Sequence, residues 1–142
     1  MTPDFAPLEE RHCRRLLAKT SIGRVVYTVG ALPAVLPVRY RLDGDGNVLL
    51  RTTAGSEFLR AVAGALVAFQ ADEVSAADGG GWSVTVLGTA EATRDRSAAD
   101  ATQPHARAHA QALAQDTDRV TIRIRPEWVT GHLLKAVPPL PA

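Results

Sequence analysis

The stretch Leu50-Arg51-Thr52-Thr53-Ala54-Gly55-Ser56 sets a guanidinium and several hydroxyls between the end of an apolar run and the start of a helix-forming one. Such an arrangement suits an anion. Backbone N–H groups at a helix start point outward without partners, and an arginine fork matches two phosphate oxygens at once. The same residues also have a plainer reading, with Ser56 an ordinary N-cap and Arg51 a solvated strand residue. Upstream, Pro37-Val38-Arg39-Tyr40 places a proline inside a β-rich run. Proline cannot donate to a sheet ladder, so this point belongs to an edge, a bulge or a strand that shows its backbone to a ligand. Trp82 and Trp128 each open a run in a chain with 5% aromatic residues. Planar ligands, subunit contacts and ordinary packing all favour such positions.

Other combinations carry less. His105 and His109 stand four apart in an alanine-rich stretch, a spacing that puts two imidazoles on one helix face. No cysteine or well-placed acid completes a zinc set, so no metal is expected. Cys13, beside His12, is the sole cysteine and reads as a small packed residue. No Ser-His-Asp arrangement, Walker loop or dinucleotide glycine fingerprint is visible, which leaves hydrolase and nucleotide-hydrolysis readings without support.

The elements that must position these residues follow from periodicity and punctuation. Residues 1–7 form a loose lead-in, and Leu8 to Lys19 reads as a helix with Leu8, His12, Leu16 and Leu17 on one side. Strands are expected at Arg24–Val29, Ala34–Leu42 and Val48–Thr53, the last two joined by the turn Asp43-Gly44-Asp45-Gly46-Asn47. A short helix, Phe58–Gly64, is expected to turn Leu59, Val62 and Ala63 inward. Strands at Leu66–Ala71, Trp82–Thr93 and Arg119–Arg125 follow, with Gly88 marking a bend and Val120, Ile122 and Ile124 on one face. An exposed helix is expected around 106–114, and the proline-rich end from 136 is extended. Six strands with short turns and few helices predict an α+β protein built on an antiparallel barrel.

Composition bounds what this domain can do. One domain fits 142 residues, and a chain of that size buries roughly 68–70% of its unfolded surface without help from metal or disulfide. With 46% hydrophobic and 22% charged residues it is ordinary globular material. A net charge of +1 projects no field toward nucleic acid or anionic membrane. Of 16 basic residues only Lys19 and Lys135 are lysines, which favours guanidinium forks as holders of any anion; the plainer reading is a base-composition bias, since the chain is also rich in alanine. The start lacks a basic stretch followed by an apolar run, and no apolar segment reaches the ~20 residues a bilayer requires. A cytoplasmic protein is expected.

Several stretches together resemble the pyridoxamine 5'-phosphate oxidase-like family, and in particular its short bacterial FMN-binding split-barrel branch. They are Leu16-Leu17, Gly23-Arg24-Val25, Leu32-Pro33, Pro37 to Tyr40, Arg51 to Ser56, Val67 to Asp72, Gly81 to Val84 and Gly88-Thr89-Ala90. Order and spacing carry the likeness, over about residues 8–135. The resemblance implies a split-barrel homodimer with FMN, or a related deazaflavin, in two clefts at the interface. It implies that Arg51, Thr52 and Ser56 hold the phosphate and that Pro37, Val38, Arg39 and Tyr40 run beside the ring. Trp82 and Ser83 would stand near the cofactor, while Trp128 and His132 would reach it from the partner subunit. Tyr40 and His132 would be the available proton donors. The chain departs from the pattern at Glu57, where the family carries a lysine, and at His132, where it carries an arginine. One lost charge-assisted contact corresponds to about 1.5–3 kcal/mol. The implied activity is a flavin-dependent oxidoreductase. The alternatives are a non-catalytic module for a deazaflavin, heme or other ligand, and a barrel that has lost its cofactor.

Overall fold

A computed structural model of the chain describes residues 5–94 and 118–142. The helix expected around 106–114, with His105 and His109, lies outside them. The described residues form an antiparallel sheet with two short helices, an α+β architecture consistent with the expected split barrel. They hold nine strands where six are expected. The additional three are β1 (Phe5–Pro7), β4 (Arg41–Leu42) and β9 (Trp128–Leu134).

The remaining strands are β2 (Ile22–Val29), β3 (Leu32–Arg39), β5 (Val48–Thr53), β6 (Leu66–Val74), β7 (Gly81–Arg94) and β8 (Arg119–Ile124). They lie in the order β3-β2-β6-β7-β8-β5-β4, and β9 pairs with both β7 and β1. The lead-in is therefore only partly loose, since Phe5 to Pro7 pair with Leu134 to His132.

β7 organises the barrel. Its first half, Gly81–Leu87, pairs with β9, and its second half, Ala90–Arg94, pairs with β8. Gly88 stands at the changeover, where a Cβ would fall on the Arg125 carbonyl oxygen at 1.6 Å. Only glycine admits that close backbone approach. Inward residues alternate along β7 and β8, as the pleat requires: Trp82, Val84, Val86 and Ala90 on β7, and Val120, Ile122 and Ile124 on β8.

Helix α1 (Glu10–Leu17) closes one end with Cys13, Leu16 and Leu17 buried. His12 is exposed rather than inward, and fully buried Cys13 takes the place expected of it. Helix α2 (Glu57–Val62) buries Phe58 and Val62 and leaves Ala63 exposed, in contrast to the inward Ala63 expected. Phe58 meets Tyr27 edge to face at 5.1 Å, which fixes α2 against β2.

Candidate functional site

The barrel is open between β3 and β5. β3 pairs only with β2, and β5 pairs with β4 and β8, so no ladder joins the two rims. A cleft of about 650 Å³ occupies the gap, lined by Leu36 to Arg39 on the β3 side and by Arg41, Leu49 to Arg51, Arg119 and Thr121 on the β5 side, with Tyr40 between them. That volume falls within the ~300–1,000 Å³ common for small-molecule sites.

The proline expected at an edge or ligand-facing strand is found there. Pro37 sits on β3, the edge strand, opposite Arg24. Having no N–H, it presents no backbone donor at that position, while the strand carries Val38 and Arg39 into the cleft wall.

Four of the lining residues are arginines: Arg39, Arg41, Arg51 and Arg119. None of the described lining residues is acidic. The register shows how three of them are set out. Arg41 lies beside Leu49, Arg51 beside Thr121, and Arg119 beside Thr53. Leu49, Arg51 and Thr53 alternate along β5, so they share one face of the sheet.

Tyr40 lines the cleft, but its hydroxyl is turned away from it. It is 5% exposed, donates to the Leu17 carbonyl at 2.6 Å, and stacks edge to face on Phe69 at 4.6 Å. Burial pushes its phenol up to about 12. The hydroxyl thus serves the core and is not a proton donor to the cleft.

Thr52 and Ser56 do not line the cleft either. Their hydroxyls hydrogen-bond to each other at 2.9 Å, and Ser56 Oγ accepts the Leu59 N–H at 3.0 Å. Ser56 is the N-cap of α2, the plainer of its two readings. Glu57 is exposed in the first turn of that helix, where a carboxylate suits the helix dipole.

The other expected site residues lie away from the cleft, one in the core and three on a second surface. Trp82 is a core residue whose indole N–H donates to Glu73 at 3.3 Å. Ser83, Trp128 and His132 stand on the outer face of the sheet, with Ser83 opposite His132 and Leu87 opposite Trp128. On that face Val35, Val26, Ala68, Leu87 and Trp128 form one continuous row across five strands. Val35 is 59% and Trp128 64% exposed, a large apolar stripe for a sheet surface. Beside the stripe, Arg24 donates to Gln70 at 3.0 Å and to Asp72 at 3.3 Å, and Gln70 donates to Asp72 and Ser83. Sequence reasoning missed Arg41 and Arg119 in the cleft. The signal was available in β8, where perfect alternation already turned Arg119, Thr121 and Arg123 outward together.

Among the described residues, no helix is long and apolar enough to cross a membrane, and no group of three His, Cys, Asp or Glu could hold a metal ion.

The architecture has known counterparts. The FAD binding protein from Mycobacterium smegmatis is similar in structure, with a TM-score of 0.68, 26% identity, and coverage of 92% of this chain and 99% of that one. A FAD-binding protein from Mesorhizobium loti shares the fold at a TM-score of 0.65 and 23% identity, over 90% of this chain and 95% of that one. An uncharacterized protein of Mycobacterium tuberculosis is 37% identical over 140 residues, covering 90% of this chain and 84% of its own length. The family model described as pyridoxamine 5'-phosphate oxidase matches residues 9–133, and by that match this chain belongs to the pyridoxamine 5'-phosphate oxidase family.

Proposed function

We propose that the protein is a flavin-dependent oxidoreductase that holds its cofactor in the cleft between β3 and β5. The observation that carries the reading is the arginine lining of a cleft in the ligand-binding size range, with an edge strand on one rim. These residues fit a flavin phosphate. Arg51 and its neighbours supply planar donors for the phosphate, and Leu36, Pro37 and Val38 supply an apolar wall for a flat ring. FMN is the cofactor that the family resemblance suggests, and similarity to a protein named for FAD binding supports the flavin class. When bound, the flavin supplies hydride or electron transfer. The chain's own residues bind and orient it and shield one side of it from water.

The proposal includes a homodimer. The exposed stripe from Val35 to Trp128 is the surface a second copy would cover, because stripes of this kind on a sheet usually mark an interface. Trp128 and His132 would then come toward the partner's cleft from that interface.

A second reading, a non-catalytic flavin or heme carrier, is favoured by one feature. The described ionisable side chains facing the cleft are arginines, which stay charged, and the Tyr40 hydroxyl is committed to Leu17. Any chemistry there runs without a protein acid or base from this rim.

The test is the visible absorption spectrum of the purified protein before and after addition of FMN or FAD. A flavin spectrum that survives desalting in the wild type and weakens in Arg51→Ala by about one to two decades of affinity supports the site. A protein that ignores both flavins ends the flavin reading. A loaded protein that accepts no hydride from nicotinamide donors favours the carrier.

A further inference from the structure

We infer that the cleft takes a ligand whose anionic part carries two or more separate ionised groups, such as a diphosphate, rather than a single phosphate. The inference deepens the flavin reading and rests on it only for the rest of the ligand.

Three observations carry it. First, the arginines are spread out along the sheet. Arg41 stands beside Leu49 and Arg119 beside Thr53, positions four residues apart on β5. At ~3.3 Å per residue that separation is about 13 Å along the strand, with Arg51 between them. Second, Arg39 approaches from the opposite rim on β3, so the charge surrounds the cleft rather than lying on one wall.

Third, the protein neutralises its arginines elsewhere on the same sheet. Glu91 pairs with Arg123 at 2.8 Å and with Arg125 at 3.0 Å, one step beyond the cleft along the outer face. Arg24 has Asp72, and Arg94 has Asp118. Arg39 on one rim and Arg41 and Arg119 on the other line the cleft with no carboxylate among the described lining residues. Like charges gathered in a partly enclosed site repel one another unless an anion is bound. A phosphate held at Arg51 would leave the outer arginines unmatched. A chain of anionic groups would match them in turn.

The shared chemistry has two sources: the second phosphate of a flavin dinucleotide, or a separate anion bound beside a flavin mononucleotide. Titrations of the full-length protein with riboflavin, FMN, FAD, and FMN in the presence of inorganic pyrophosphate distinguish them. Each is followed by flavin fluorescence, with direct calorimetry of pyrophosphate alone. The expected result is FAD binding at least about tenfold tighter than FMN, with Arg41→Gln and Arg119→Gln each weakening FAD several-fold more than FMN and so removing most of that advantage. If FMN gains affinity when pyrophosphate is added, the second anion is a separate molecule. If FMN and FAD bind equally, pyrophosphate adds nothing and the variants act on both alike, the inference is overturned and the flavin reading stands. If no flavin binds but pyrophosphate does, with the affinity lost in both variants, the flavin reading falls and the polyanion site remains. If neither binds, both fail. Circular dichroism of the variants controls for folding.

Discussion

The Tyr40 hydroxyl offers a prediction that separates a structural role from a chemical one. Tyr40→Phe keeps the ring against Phe69 at 4.6 Å and removes only the hydrogen bond to the Leu17 carbonyl, 2.6 Å long and buried. The lost bond costs about 1 kcal/mol, and the carbonyl left behind raises the total to roughly 1–3 kcal/mol at neutral pH. The pH dependence has a definite sign. Burial raises the phenol from 10.0 to about 12, so the folded state keeps its proton at pH values where the unfolded chain has released it. Stability from this group is therefore complete below pH ~10 and falls as pH rises toward the folded value. Two units at 1.36 kcal/mol each bound that loss at about 2.7 kcal/mol.

Urea unfolding between pH 7 and 11.5 measures both effects. Wild type is expected to start more stable and to decline steeply above pH 10. Tyr40→Phe is expected to start lower and decline less, so that the two curves converge. With a urea slope of ~1–3 kcal/mol/M, the neutral-pH difference is a midpoint shift on the order of 1 M. Flavin retention should be unchanged in the variant, because the hydroxyl faces the core. Equal stability at pH 7 with parallel alkaline limbs would refute the buried bond, and loss of flavin chemistry without loss of stability would refute the structural assignment.

Trp128→Asp puts a charge into the exposed apolar stripe, and sedimentation velocity should show monomers where wild type sediments as a dimer; two monomeric proteins would remove the interface. Gly131→Ala builds a Cβ 2.5 Å from Cys13 Sγ, so thermal unfolding should report a loss of about 1–3 kcal/mol that Cys13→Ala largely restores. Glu91→Gln removes the carboxylate that its hydrogen bond to Arg123 and the nearby Arg125 charge hold below its usual range. The wild-type contribution is present above the ordinary glutamate value and lost as pH falls through the depressed one, so the variant should show a flatter acid limb in denaturation experiments.

Much of this molecule was legible before any coordinates, where one residue type repeats with one period. The 119–124 segment alternates valine and isoleucine with polar residues, and Val48–Thr53 follows a five-residue turn rich in glycine and aspartate; the structure agrees with both. β9 was not legible, for a physical reason. Its inward positions are Val129 and Gly131, and glycine is there because the Cys13 sulfur occupies the space a side chain would need. With Pro126 before it and Trp128 outward, the segment shows no apolar alternation. β4 was hidden because Tyr40 reads as one more residue of a continuous strand. In the site, residue types were legible but directions were not. Arg51 lines the cleft, yet its neighbours Thr52 and Ser56 hydrogen-bond to each other, and only the register shows that Arg41 and Arg119 share the face of Arg51.

That same Tyr40 explains how the cleft is held open. The chain leaves one rim at Arg39 and begins the other at Arg41, so the split is crossed at a single residue. Tyr40 is held there at two points, its N–H on the Ser21 carbonyl at 2.9 Å and its hydroxyl on the Leu17 carbonyl at 2.6 Å. Both carbonyls belong to α1 and the loop that follows it, so the crossing is tied to the helix that closes the barrel end. A strand that continued through position 40 would lead β3 straight on and carry Arg41 away from β5. The inward turn of one aromatic side chain instead leaves Arg39 and Arg41 facing the same space from opposite rims. The charge pattern of the cleft is thus a consequence of core packing: the residue that anchors the crossing does so from the hydrophobic side, and the arginines flanking it are left for the ligand.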